Sequence, residues 1–131
     1  MQTQIEIKKE IIDKDGNNSI EVYTFKWELD ETNSDTTFKK IYQDIDNFSK
    51  KIIFNLEWLD YMNSKSIWYI ADIFSKTKDK SGILVLTSLT EEIDDTLDLV
   101  WVKSFIKVFS NNKEASLFIK DIKPDKSKNT N

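Results

Sequence analysis

Two short apolar runs constrain this chain more than any other feature: Ile52-Ile53-Phe54-Asn55-Leu56 and Ile83-Leu84-Val85-Leu86, separated by one helix-length of sequence. Successive side chains of an extended strand point to opposite faces, so an unbroken apolar run needs cover on both sides. Strands covered in this way belong to parallel sheets, and parallel neighbours are joined by helical crossovers. The two runs are therefore expected as adjacent inner strands of one sheet.

The rest of the chain fits around that pair. Gln2 to Ile12 places Ile5 and Ile7 in alternation, and the turn-rich Asp13-Lys14-Asp15-Gly16-Asn17-Asn18 leads into Ser19 to Trp27, which predicts a hairpin. In its second arm Tyr23, Phe25 and Trp27 alternate with Val22 and Thr24, so both faces carry strand-favouring residues and an inner strand is expected. Phe38, Ile41, Tyr42, Ile45 and Phe48 recur at helical spacing, with Ser34 or Thr32 as the expected cap. A second helix is predicted over Ser64 to Lys76 with Ile67, Ile70, Ala71 and Phe74 inward. A third opens at Thr90 with Ile93, Leu97, Val100 and Trp101 inward, and Phe105 to Phe109 is expected as a last strand. Asn111 and Glu114 have the spacing of a capping box for a final helix through Ala115, Phe118 and Ile119. The order β-β-α-β-α-β-α-β-α predicts the α/β class: a mainly parallel sheet with an antiparallel edge strand, covered by about four helices.

With no repeat and no linker-like stretch, 1–122 is expected to be a single domain and 123–131 a polar, disordered tail. Composition then removes function classes. The chain has no cysteine and no histidine, hence neither a thiol nucleophile nor the usual zinc ligands. Its two glycines, Gly16 and Gly82, admit neither a phosphate-binding loop nor a dinucleotide fingerprint. A net charge of −4 argues against nucleic acid as the partner and is compatible with a basic one. No apolar run reaches the roughly 18 residues of a membrane span, and Met1 to Ile12 mixes lysine with glutamate, so a cytoplasmic protein without a signal peptide is expected. No cofactor is expected.

Four stretches, in order, resemble the STAS family of anti-sigma factor antagonists. Phe25-Lys26-Trp27-Glu28-Leu29-Asp30 is similar to a segment ending in glycine-glutamate-leucine-aspartate, with Trp27 in place of the glycine. Lys51 to Leu56 resembles the strand ending in asparagine or aspartate followed by leucine. Tyr61-Met62-Asn63-Ser64-Lys65-Ser66 stands where the family has an aromatic, an aliphatic and then aspartate-serine-serine-glycine, and Leu84 to Leu89 resembles the start of the C-terminal half. The resemblance spans about Ser19 to Ile119 and implies a STAS-like fold.

It also implies a function, namely a protein-binding regulatory domain that acts as an anti-sigma factor antagonist in partner switching. In such proteins the serine after the aspartate is phosphorylated by an anti-sigma factor that is also a serine kinase, which releases that partner. Carried over by position, Ser64 is the candidate phosphoacceptor, Asn63 stands for its aspartate, and Asp30 for the acidic residue near it. Lys65 replaces the second serine and Ser66 the glycine. The implied partner is an anti-sigma factor or serine-kinase-like regulator. The alternative is a structural STAS subunit, never phosphorylated, in a larger complex such as a lipid-transport assembly.

The residues themselves leave plainer readings beside these. An Asn-Ser pair before an apolar helix is an ordinary cap. Asp30, Asn63, Trp58 and Lys65 are the expected partner contacts, Trp58 as an exposed aromatic in a loop after Glu57. Of the adjacent Trp68 and Tyr69, one is expected to face the core. Glu91, Glu92, Asp94, Asp95 and Asp98 form an acidic helix face, read first as solvated and alternatively as a dock for a basic partner. Neighbouring acids such as Asp94 and Asp95 are expected to point apart, which speaks against a metal or acid/base centre. The sequence leaves the oligomeric state open.

Overall fold

The structure is a computed structural model and describes residues 2–14, 19–100 and 102–121. Five strands form one sheet whose spatial order repeats the chain order. Strand β1 (Ile5–Ile12) pairs antiparallel with β2 (Ile20–Leu29). From there β2, β3 (Lys51–Met62), β4 (Ile83–Thr87) and β5 (Val108–Phe109) run parallel. Four helices connect or follow them: α1 (Ser34–Ile45), α2 (Ser64–Asp79), α3 (Glu91–Leu99) and α4 (Asn112–Asp121). This is the expected α/β architecture, with the two apolar runs as adjacent inner strands.

Side-chain alternation divides the core. Tyr23, Phe25, Ile52, Phe54, Leu84 and Leu86 face one way and meet Phe38, Ile41, Ile67, Ile70, Ile93 and Leu97 from the first three helices. Ile20, Val22, Ile53 and Val85 face the other way, under Ala115 and Ile119 of α4. Each fully buried aliphatic or aromatic side chain contributes about 1.5–3 kcal/mol. Phe54 anchors the larger cluster, with ring centroids 5.1 Å from Phe25 and 5.6 Å from Tyr23, both edge to face.

Gly82 sets the entry into β4. A Cβ there would lie 2.4 Å from the Lys50 carbonyl oxygen and 2.7 Å from that of Phe48, both backbone atoms. Its amide donates to Thr77 O at 2.7 Å, and Ser81 takes the left-handed conformation (φ 62°) needed to turn out of α2.

Three local expectations are corrected. The last strand is Val108–Phe109 instead of Phe105 to Phe109, because Val102–Ser104 forms a 3-10 turn and the Phe105 and Ile106 amides still donate to Val102 O. The residue before α1 is Asn33, and its side chain makes no cap bond to that helix; neither Ser34 nor Thr32 takes the position. Helix α2 buries Ile73 and Thr77 along with Ile67 and Ile70; Phe74 packs against the core as expected, and Ala71 is only half-buried. Trp101, most of the Asp13 to Asn18 turn and the 123–131 tail lie outside the described residues.

Candidate functional site

The candidate residues gather where β2 and β3 end and α2 begins. Leu29 is the register partner of Met62, and the Asn63 amide donates to Leu29 O at 2.9 Å, so the last residues of the two strands lie side by side. This brings the Asp30 backbone next to the Asn63-Ser64 turn. Asn63 has extended backbone angles (φ −79°, ψ 167°), and its Oδ1 accepts from Ser66 N at 3.0 Å. Asn63 is therefore the cap. Of the Asn-Ser pair read as a cap, only Asn63 takes that part: Ser64 is the first helical residue, exposed, and its hydroxyl has no hydrogen-bond partner among the described residues. A first-turn serine beside unpaired helix amides offers its oxygen to solvent and leaves room for a phosphate.

Asp30 lies close in the backbone, yet its carboxylate is engaged elsewhere. Oδ1 accepts from the Thr32 amide at 2.8 Å and from Thr32 Oγ1 at 2.6 Å, and Oδ2 accepts from the Thr3 hydroxyl. The Thr3 bond first, and then Thr32, hold this carboxyl below its ordinary pKa. Asn33 completes the knot: its Nδ2 donates to Thr3 O and Glu28 O at 2.7 and 2.9 Å, and its Oδ1 accepts from Asp30 N at 3.0 Å. Asp30 thus secures the segment before β1 and the β2–α1 turn.

Lys65 also turns to a partner on another element. Its Nζ lies 2.8 and 2.9 Å from the two carboxylate oxygens of Asp35, and Tyr69 donates to the same carboxylate at 2.6 Å. The Lys65 ammonium above all, then the Tyr69 hydroxyl, lower the Asp35 pKa, while Asp35 raises those of Lys65 and Tyr69. This clasp joins the first turns of α1 and α2. Tyr69 is the inward member of the aromatic pair, stacked 4.8 Å from Phe38, whereas Trp68 is exposed.

Trp58 is exposed as expected but not in a loop: β3 extends through it, opposite Lys26 on β2. It stands back along the strand from the Ser64 turn. Trp27 has φ 86°, a left-handed backbone that an L side chain occupies at a cost of about 1–2 kcal/mol. The glycine of the resembling segment falls on this position, and here Lys26 Nζ covers the indole at 4.9 Å. The left-handed site, the Asp30 knot and the Asp35 clasp were not read from the sequence; for the first of them, the glycine replaced by Trp27 was the available signal.

On α3, Asp94, Asp95 and Asp98 each bring a carboxylate oxygen within 4.8 Å of the others, which corrects the expectation that Asp94 and Asp95 point apart. Lys103 answers that charge, paired with Asp94 and, at 2.9 Å, with Asp98. Among the described residues no helix is long and apolar enough to cross a membrane.

No curated protein matches the chain by sequence. Among solved structures, it is similar to a candidate anti-sigma factor antagonist from Thermotoga maritima, with 19% identity and a TM-score of 0.77 over 87% of this chain and 94% of that one. It is also similar to the anti-sigma factor antagonist SpoIIAA in its unphosphorylated form, with 17% identity and a TM-score of 0.72 over 90% and 99%. A third similar structure is the murine anion transporter Slc26a9, with 13% identity and a TM-score of 0.67 over 92% of this chain and 23% of the transporter. At these identities the likeness concerns the fold. The STAS domain pattern matches residues 12–115, most of the length, and the chain belongs to the STAS domain family.

Proposed function

We propose that this chain is a non-catalytic protein-binding domain, an anti-sigma factor antagonist that switches partners through the Asn63-Ser64 turn. The observation that carries the reading is the placement of Ser64: exposed, at the first turn of a long helix, with no hydrogen-bond partner for its hydroxyl among the described residues. Phosphorylation there adds about −1.5 to −2 charges at a helix N-terminus that tolerates them, so the fold survives while a partner docked over the turn meets new charge. The partner is an anti-sigma factor or serine-kinase-like regulator.

The test is partner affinity for wild type, Ser64→Asp and Ser64→Ala, with mass spectrometry after incubation with the kinase-like partner. Ser64→Asp is expected to weaken binding without lowering the melting temperature, Ser64→Ala to bind like wild type, and the phosphate to appear on Ser64. Equal affinity of all three with no phosphate would overturn the switch. A second reading, a STAS subunit that is never phosphorylated, is favoured by Lys65, whose ammonium is committed to Asp35.

A further inference from the structure

Strand β3 outruns its neighbour. It pairs with β4 only from Lys51 to Asn55, yet continues beside β2 to Met62, so among the described residues its later half has no strand on the β4 side. Two register shifts interrupt that half, one between Thr24 and Lys26 and one between Trp27 and Glu28, and at each β3 spends an extra residue. The alternation breaks, and Glu57, Trp58, Asp60 and Tyr61 are all exposed while Leu59 and Met62 stay buried. Trp58 is 57% and Tyr61 47% exposed, a large apolar outlay for positions at solvent. Trp58 and Glu57 line a groove of about 430 Å³ together with Thr24, Lys26 and Asn55.

The charge around these rings selects an occupant. Glu28 is the register partner of Tyr61, Glu57 precedes Trp58 and Asp60 precedes Tyr61. None of the three carboxylates has an ion pair among the described residues. The lysine on the same ribbon, Lys26, lies over Trp27, and the far side of the groove, on β1, adds Glu6 and Glu10 with Lys8. Two ring faces beside unanswered carboxylates complement a guanidinium, which stacks on an aromatic ring and donates to a carboxylate with the same planar group.

We propose that this face of β2 and β3 is a docking surface for an arginine-bearing segment of a partner protein. The proposal rests on the reading of this chain as a protein-binding domain and gives the partner's chemistry. Strand β3 runs on through the buried Met62 into the Asn63-Ser64 turn, so the surface and the turn lie on consecutive stretches of chain.

The test uses the full chain labelled with ¹⁵N and a short unstructured peptide of alternating glycine and arginine, with glycine-lysine and glycine-glutamate peptides as controls. Shifts from the arginine peptide are expected to cluster on Lys26, Glu28 and residues 57–61. Trp58→Ala is expected to weaken binding about tenfold, and Glu57→Lys with Asp60→Lys to abolish it. Shifts centred on Glu91 to Asp98, equal binding of the lysine peptide, or unchanged affinity in Trp58→Ala would overturn the proposal. All three substituted positions are solvent-exposed, and the melting temperature of each variant separates lost binding from lost fold. Ser64→Asp should bind the peptide as wild type does. A chain that switches at Ser64 but ignores the peptide loses this surface alone, whereas one that binds the peptide at Trp58 without a Ser64 response keeps the surface and loses the switch.

Discussion

Asn63 and Ser64 are neighbours with separable duties. Asn63 closes the α2 N-terminus through its side chain, whereas Ser64 contributes only backbone there. Asn63→Ala is therefore expected to cost about 1 kcal/mol in urea unfolding, and Ser64→Ala to change stability by only a few tenths. A larger loss from Ser64→Ala than from Asn63→Ala would reverse the assignment. The separation matters for regulation, because a phosphoacceptor that also carried the cap would couple every modification to helix stability. The family's aspartate at position 63 and this chain's asparagine can both accept from the amide, so the exchange leaves the capping geometry intact.

Among the elements, those carried by plain periodicity were legible and those shaped by long-range contact were not. Ile52 to Leu56 and Ile83 to Leu86 read correctly as inner strands because every residue there obeys the strand period. The second half of β3 escaped the same reading, because its bulges replace alternation with exposed pairs around Leu59 and Met62. Of the candidate site, the resemblance pointed to Asn63, Ser64 and Asp30, and the β2–β3 register sets the backbones of Asp30 and Asn63 side by side. What Asp30 and Lys65 do there was not legible, since Thr3 and Asp35 reach them from about thirty residues away in sequence. Gly82 offers a test at this scale. The backbone atoms of Lys50 and Phe48 leave no space for a methyl group, so Gly82→Ala should destabilise by about 3 kcal/mol, read from the denaturation midpoint. A near-neutral effect would mean that the α2–β4 turn and the approach to β3 can shift together.

At the scale of the molecule, three carboxylates tie segments that helix and strand packing leave loose. Asp30 holds the residues before β1, Asp35 joins α1 to α2, and Asp13 accepts from Ser116 at 2.6 Å while pairing with Lys120 of α4 at 2.9 Å. All three titrate below the ordinary carboxylate range, Asp13 chiefly through the Ser116 hydrogen bond. A pKa lowered in the folded state means that the unfolded chain binds the proton more tightly, so their stabilisation is present above about pH 4 and is lost as pH falls below it. With no histidine in the chain, the melting temperature should be nearly flat from about pH 5 to 8 and drop on further acidification. A step between pH 6 and 7 would contradict this. The sheet's sequential order has a kinetic consequence as well. Each strand pairs with the strand that precedes it in the chain, so no ladder needs a strand made much later, and closure entropy is spent in modest instalments. A ribosome releasing this chain delivers the strands in the order in which the sheet assembles them, and each new strand meets an edge that is already waiting.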